Sequence, residues 1–114
     1  MSTNKELQAR RDAAVARGLG NLLPIYVDRA ENAEVWDVEG KRYIDFASGI
    51  AVLNTGHLHP KVKAAVQAQL ERFSHTCFMV TPYDVYVEVC EKLYALTPGD
   101  HEKRTALFNS GAEA

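Results

Sequence analysis

Among its 114 residues the sequence holds only two cysteines, Cys77 and Cys90. Two thiols make no disulfide framework, so a reducing compartment, the cytoplasm, is the expected location. Long apolar runs are missing as well. No stretch approaches the roughly 20 residues that a membrane-spanning helix requires, and no membrane partner is expected. The polar start Met1-Ser2-Thr3-Asn4-Lys5-Glu6 lacks the apolar core of a signal peptide. Charge of one sign is not in excess either: 13 Lys and Arg against 15 Asp and Glu leave a formal net charge of -2. That near-balance offers no basic footprint for nucleic acid or anionic lipid. Internal repeats, low-complexity tracts and linkers are absent too. What remains is 46% hydrophobic and 25% charged, ordinary for a globular chain and enough for one modest domain.

Helical and strand patterns both occur along the chain. Ser2, Thr3 or Asn4 suits a helix N-cap and predicts a first helix to about Arg17, ended by Gly18 and Gly20. Gly18-Leu19-Gly20 opens like a dinucleotide fingerprint. It lacks the final glycine and a preceding strand, so helix stop and loop is the better reading. From Ile25 to Phe46 the period becomes that of strands. Glu34 to Val38 and Arg42 to Phe46 both alternate, and Glu39-Gly40 between them makes a hairpin turn. The stretch from Ala47 to Gly56 is rich in small residues and suits close approach to another chain or a ligand. Pro60 opens a helix to about Phe73, with Val62, Val66, Leu70 and Phe73 on one face. Thr81-Pro82 opens another, carrying Val85, Val89, Leu93 and Leu96. These apolar faces are too many for so short a chain to cover.

The last ten residues carry the most chemistry. Thr105-Ala106-Leu107-Phe108 reads as a short buried strand, Asn109-Ser110-Gly111 as a tight turn, and Ala112-Glu113-Ala114 as the first turn of a helix. Free N–H groups at such a helix start, aided by its dipole, form a site for a phosphate. On this reading the chain is the front part of a longer protein. Two histidine-containing pairs, His57-x-His59 and His75-x-Cys77, invite a metal reading but match no standard ligand spacing, and no metal is expected. Cys90 is expected to be buried in its helix and inert. Asp45, at the hairpin's end, reads as a brace for the turn that follows more readily than as a catalytic carboxylate.

With these residues read, the sequence resembles the class III, fold-type I aminotransferases that use pyridoxal phosphate. Within them it is most similar to the bacterial 4-aminobutyrate (GABA) aminotransferase group. The resemblance rests on Pro24 to Asn32, Trp36-Asp37-Val38-Glu39-Gly40 with Tyr43 to Ala47, Gly49 to Pro60, Ser74 to Phe78, and Asn109 to Ala114. The Asp-x-Glu-Gly hairpin and Gly-His-x-His-Pro carry the class, and the Gly49–Pro60 and Ser74–Phe78 stretches narrow it.

That resemblance implies the N-terminal segment of an α/β fold: a helix, a β-hairpin, two helices and the start of the large cofactor-binding domain. It would put residues 1–60 in the small domain with its link, and residues 61–114 in the truncated large domain. It implies that the backbone of Ser110, Gly111 and Ala112 holds the cofactor phosphate, with Ala112 standing where many relatives have serine. Ile50 corresponds to an apolar residue lining the substrate pocket. The lysine that the family joins to the cofactor lies beyond Ala114, so no catalytic residue is assigned; none of Lys5, Lys41, Lys61, Lys63, Lys92 or Lys103 has its context. The implied reaction moves the amino group of 4-aminobutyrate to 2-oxoglutarate in a homodimer or dimer of dimers, giving succinate semialdehyde and glutamate. Alternatives are another donor (5-aminovalerate, ornithine or acetylornithine) or a non-catalytic interaction fragment.

Overall fold

The computed structural model describes residues 2–114. The chain divides into two compact units, one ending at Glu71 and the other spanning Arg72–Ala114.

In the first unit, α1 (Asn4–Ala14) begins with a capping box. The Thr3 hydroxyl accepts the Glu6 N–H at 3.2 Å, and the Glu6 carboxylate accepts the Thr3 N–H at 2.8 Å. The helix stops at Ala14, short of the expected end near Arg17. Val15 is already extended, and the Arg11 guanidinium reaches forward to the Leu19 carbonyl, which fixes the chain after the last turn.

Three antiparallel strands follow in the order β1 (Val27–Glu31), β2 (Glu34–Asp37), β3 (Arg42–Ile44). The expected hairpin is β2–β3, with Val35 opposite Tyr43 and Trp36 opposite Arg42. β1 adds a strand on the other side of β2, with a bulge between Val27 and Arg29. Opposite Trp36 on β1, the Arg29 guanidinium lies 3.6 Å from the indole ring centroid, a cation–π contact.

Asp37 ends β2 and is the one buried polar residue among those described, 3% exposed. Its Oδ1 accepts the Glu39 N–H at 3.0 Å and the Lys41 N–H at 2.9 Å, which shapes the hairpin turn. Its Oδ2 accepts the Tyr43 hydroxyl at 2.9 Å and the Asn4 amide at 3.0 Å. Burial works to raise the Asp37 pKa, yet these donors together hold it below the usual carboxylate value.

After β3 comes α2 (Ser48–Ala51), a single turn of left-handed hand: φ is 49° at Ser48, 60° at Gly49, 62° at Ile50 and 60° at Ala51. Left-handed backbone costs an L-residue roughly 1–2 kcal/mol, and a β-branched residue such as Ile50 is an outlier there. α3 (Pro60–Leu70) starts at the expected proline and ends before Phe73. Its face is uncovered, with Val62, Val66 and Leu70 at 53%, 53% and 61% exposure.

In the second unit, α4 (Asp84–Leu96) starts later than Pro82 because Tyr83 is extended. That backbone puts its ring edge-on to Phe73 and Phe78, each at 5.6 Å between centroids. Tyr86 stacks on Phe78 at 4.0 Å. No apolar residue is buried among those described, and Cys90 is half-exposed, not buried as expected. The strand expected over 105–108 does not form either. A strand needs a neighbour to take its N–H and C=O groups, and these residues pair with no other strand. No helix among the described residues is long and apolar enough to cross a membrane.

Candidate functional site

Each unit carries candidate functional residues of its own. In the second unit, residues 103–108 have no regular secondary structure and are tied to α4 at two points. The Tyr86 hydroxyl accepts the Leu107 N–H at 3.1 Å, and the Thr105 carbonyl lies 3.8 Å from the Cys90 sulfur. The aromatic stack on Phe78 holds Tyr86, so the anchor for Leu107 rests on packed rings.

The chain then turns. The Ser110 carbonyl accepts the Glu113 N–H at 3.2 Å and the Ala114 N–H at 3.3 Å, a single helical turn. The N–H groups of Gly111 and Ala112 donate to nothing among the described residues, and both residues are exposed. Two free amides on one exposed turn are the donor set that an anion requires. The Ser110 hydroxyl donates to the Glu113 carboxylate at 3.0 Å, so an acceptor from the chain itself already engages that group. A Cβ built on Gly111 would meet no heavy atom of the described residues within 4 Å. The space in front of this backbone is open, and the donor chemistry fits a phosphate ester.

In the first unit, Ile50 stands on the left-handed turn α2, 91% exposed. The turn is held from one side by Asp45, whose Oδ1 accepts the Ala47 N–H at 3.1 Å and the Ser48 N–H at 2.9 Å. This is the turn brace that the position of Asp45 suggests. Sequence reasoning missed the other half of the arrangement: Asp45 Oδ2 lies 2.7 Å from His57 Nε2. The His57 contact, then the Ser48 amide, hold the Asp45 carboxyl below its ordinary value, against the opposing effect of burial; the Ala47 amide adds to the lowering. His57 is itself pinned, because its N–H and C=O bond the Asn32 C=O and N–H at 2.7 and 3.0 Å. That bridge needs Gly56, where a Cβ would lie 2.8 Å from Asn32 Oδ1 and 3.0 Å from Asn32 Cα. The spacing of twelve residues between Asp45 and His57 follows no helix or strand period, so only a turn motif read as a whole could have signalled the pair.

Among the described residues no three of His, Cys, Asp and Glu are grouped to hold a metal ion. The two pairs noted in the sequence do not come together as ligands. His57 faces Asp45, and Cys77 stays exposed.

The family described as aminotransferase class-III matches residues 14–114. The chain is 60% identical over 114 residues to the 4-aminobutyrate aminotransferase GabT of Escherichia coli, covering 100% of this chain and 27% of that protein. It is 62% identical over 112 residues to the 5-aminovalerate aminotransferase DavT of Pseudomonas putida, covering 98% of this chain and 26% of that one. The chain thus spans about a quarter of the length of these relatives. Among solved structures, an ornithine aminotransferase from Toxoplasma gondii, crystallised with partial occupancy of pyridoxal phosphate at its active site, superimposes with a TM-score of 0.82. It is 30% identical and covers 98% of this chain and 25% of its own. An omega-aminotransferase from Paracoccus denitrificans gives a TM-score of 0.78 at 30% identity, covering 92% of this chain and 25% of its own.

Proposed function

The chain belongs to the class III aminotransferase family, and on that premise we propose that it is the N-terminal part of an enzyme moving the amino group of 4-aminobutyrate to 2-oxoglutarate. The observation that carries this reading is the 60% identity with the 4-aminobutyrate enzyme over the whole of the chain. The family implies pyridoxal phosphate as cofactor. When bound, that group supplies the electron sink for proton transfer at carbon. This chain's part is binding and orientation. Gly111 and Ala112 offer their free N–H groups to the cofactor phosphate, and Ser110 adds its hydroxyl on release from Glu113. Ile50 lays its side chain against the carbon chain of the amino donor.

In this reading residues 1–60 belong with the small domain and residues 61–114 begin the large one. The assembly is a homodimer, or a dimer of dimers, in the cytoplasm. The bare apolar face of α3 supports an assembly that covers it, and the two free cysteines suit a reducing compartment.

A second donor has an observation of its own in its favour. The Pseudomonas putida 5-aminovalerate enzyme is 62% identical, and its donor is longer than 4-aminobutyrate by one methylene. A pocket tells such donors apart by only about 10- to 200-fold. The test is to compare kcat/KM for 4-aminobutyrate, 5-aminovalerate and ornithine in the full-length enzyme that carries this segment, following glutamate formation. A higher value for 4-aminobutyrate supports the reading, and a higher value for either other donor overturns it. The 114-residue polypeptide alone, with none of its six lysines in the family's context, is expected to form no glutamate in the same assay.

A further inference from the structure

The left-handed turn α2 holds a β-branched side chain in a conformation that the residue does not choose for itself, and strain of this kind persists only where surrounding structure enforces it. The enforcing groups are visible. Asp45 Oδ1 takes the Ala47 and Ser48 N–H groups at the start of the turn, and Oδ2 grips His57 at 2.7 Å. His57 cannot yield, because its backbone is bonded twice to Asn32. Asp45 cannot yield either, because its own N–H donates to the Ala33 carbonyl at 2.9 Å. Asn32 and Ala33 form the tight link between β1 and β2. Both ends of the carboxylate–imidazole contact are therefore fastened to one point of the sheet, while Ile50 stands clear of the protein at the turn.

We infer that Asp45 and His57 are positioning residues that set donor specificity by holding α2 left-handed and thereby fixing where Ile50 meets the donor's carbon chain. This rests on the reading of Ile50 as a substrate contact. Their part is to act through the backbone of α2. Without the clamp the turn relaxes toward ordinary backbone, and the Ile50 side chain leaves its place. Loss of contact to one or two methylenes weakens donor binding and blunts discrimination by chain length, with little effect on the chemical step.

The test uses the full-length enzyme, normalised to folded, cofactor-loaded protein. Asp45→Asn and His57→Leu are expected to raise KM for the amino donor by about tenfold, with kcat within about twofold of the parent. They are also expected to narrow the preference between 4-aminobutyrate and 5-aminovalerate. His57→Gln, which keeps a nitrogen donor at the position of Nε2, is expected to stay close to the parent. The decisive readout is a double-mutant cycle. Ile50→Ala alone raises donor KM, and adding Asp45→Asn or His57→Leu to it raises KM no further. If Asp45→Asn and His57→Leu lower Tm but leave KM and donor preference unchanged, the clamp is structural only and the inference falls. The same holds if their effects persist in full in the Ile50→Ala background. If Ile50→Ala leaves donor KM unchanged, the reading of Ile50 as a substrate contact fails first, and the inference goes with it. His57→Leu and His57→Gln keep the question open to decision should Asp45→Asn not fold.

Discussion

Asn4 and Asp37 meet across 33 residues of sequence: the Asn4 side-chain amide donates to Asp37 Oδ2 at 3.0 Å. Asn4 is the first residue of α1, and Asp37 closes β2. The same Asn4 side chain donates to Glu39 at 2.6 Å and accepts the Tyr26 N–H at 2.8 Å. One residue thus fastens the N-terminal helix to both ends of the sheet's first hairpin region. With no buried apolar residue in this segment, polar contacts carry the tie between helix and sheet.

Asp37→Ala removes the acceptor for four donors at once, two of them backbone amides of the turn. Leaving buried donors unpaired is among the more damaging kinds of substitution. The expected result is a Tm lower by roughly 5 °C in the enzyme carrying the change. Donor and cofactor affinity of the folded fraction should be kept. Calorimetry and a cofactor titration check the two halves of this expectation.

Gly56→Ala should destabilise by roughly 1–3 kcal/mol, because φ is 77° and the new methyl meets Asn32 backbone at 3.0 Å. Gly18→Ala is the control. A Cβ there meets nothing within 4 Å, and its backbone is not left-handed. Denaturant unfolding of both variants should show a midpoint shift for the first and little for the second.

The Asp45 carboxyl has a folded pKa depressed below its ordinary 3.8 by His57 and two backbone amides. A depressed carboxylate stabilises the fold above its unfolded pKa, and that contribution is lost as pH falls through the lower folded value. The stability difference between the parent and Asp45→Asn should therefore be constant at neutral pH. It should begin to shrink only near pH 3.8 and close below it. Tm measured for both proteins across that range gives the curve; a gap that closed near neutral pH would contradict the assignment.

At the cradle, Gly111→Val should weaken pyridoxal phosphate binding well beyond Ala112→Ser. A Cβ at Gly111 meets no heavy atom of the described residues within 4 Å, so a side chain there would stand in the open space beside the free amides. Ala112→Ser adds a hydroxyl donor and should bind as well as the parent or better. Titrating the cofactor into the apo forms of the full-length variants and parent compares the dissociation constants. Three equal values would place the phosphate elsewhere.

Local chemistry was enough to predict several features here. The N-cap expected at Ser2, Thr3 or Asn4 falls on Thr3, Pro60 starts α3, and alternation around Glu39-Gly40 makes the hairpin. The small residues at Ser110–Ala112 form a turn for the same local reason: each such signal depends on residues a few places apart. Where neighbours in space are distant in sequence, the pattern is silent. The strand period from Ile25 covers β1 but does not announce its pairing with β2, and nothing announces that Asn4 reaches Asp37. The strand expected over 105–108 shows the converse, since alternation and apolar content cannot make a strand without a neighbour to bond it. Most telling is α2. Serine, glycine, isoleucine and alanine in a row carry no sign of a left-handed turn, because the preference of isolated residues is the opposite. Its hand follows from contacts made after folding, where Asp45 and His57, each bonded to the Asn32–Ala33 link, close on the backbone between them.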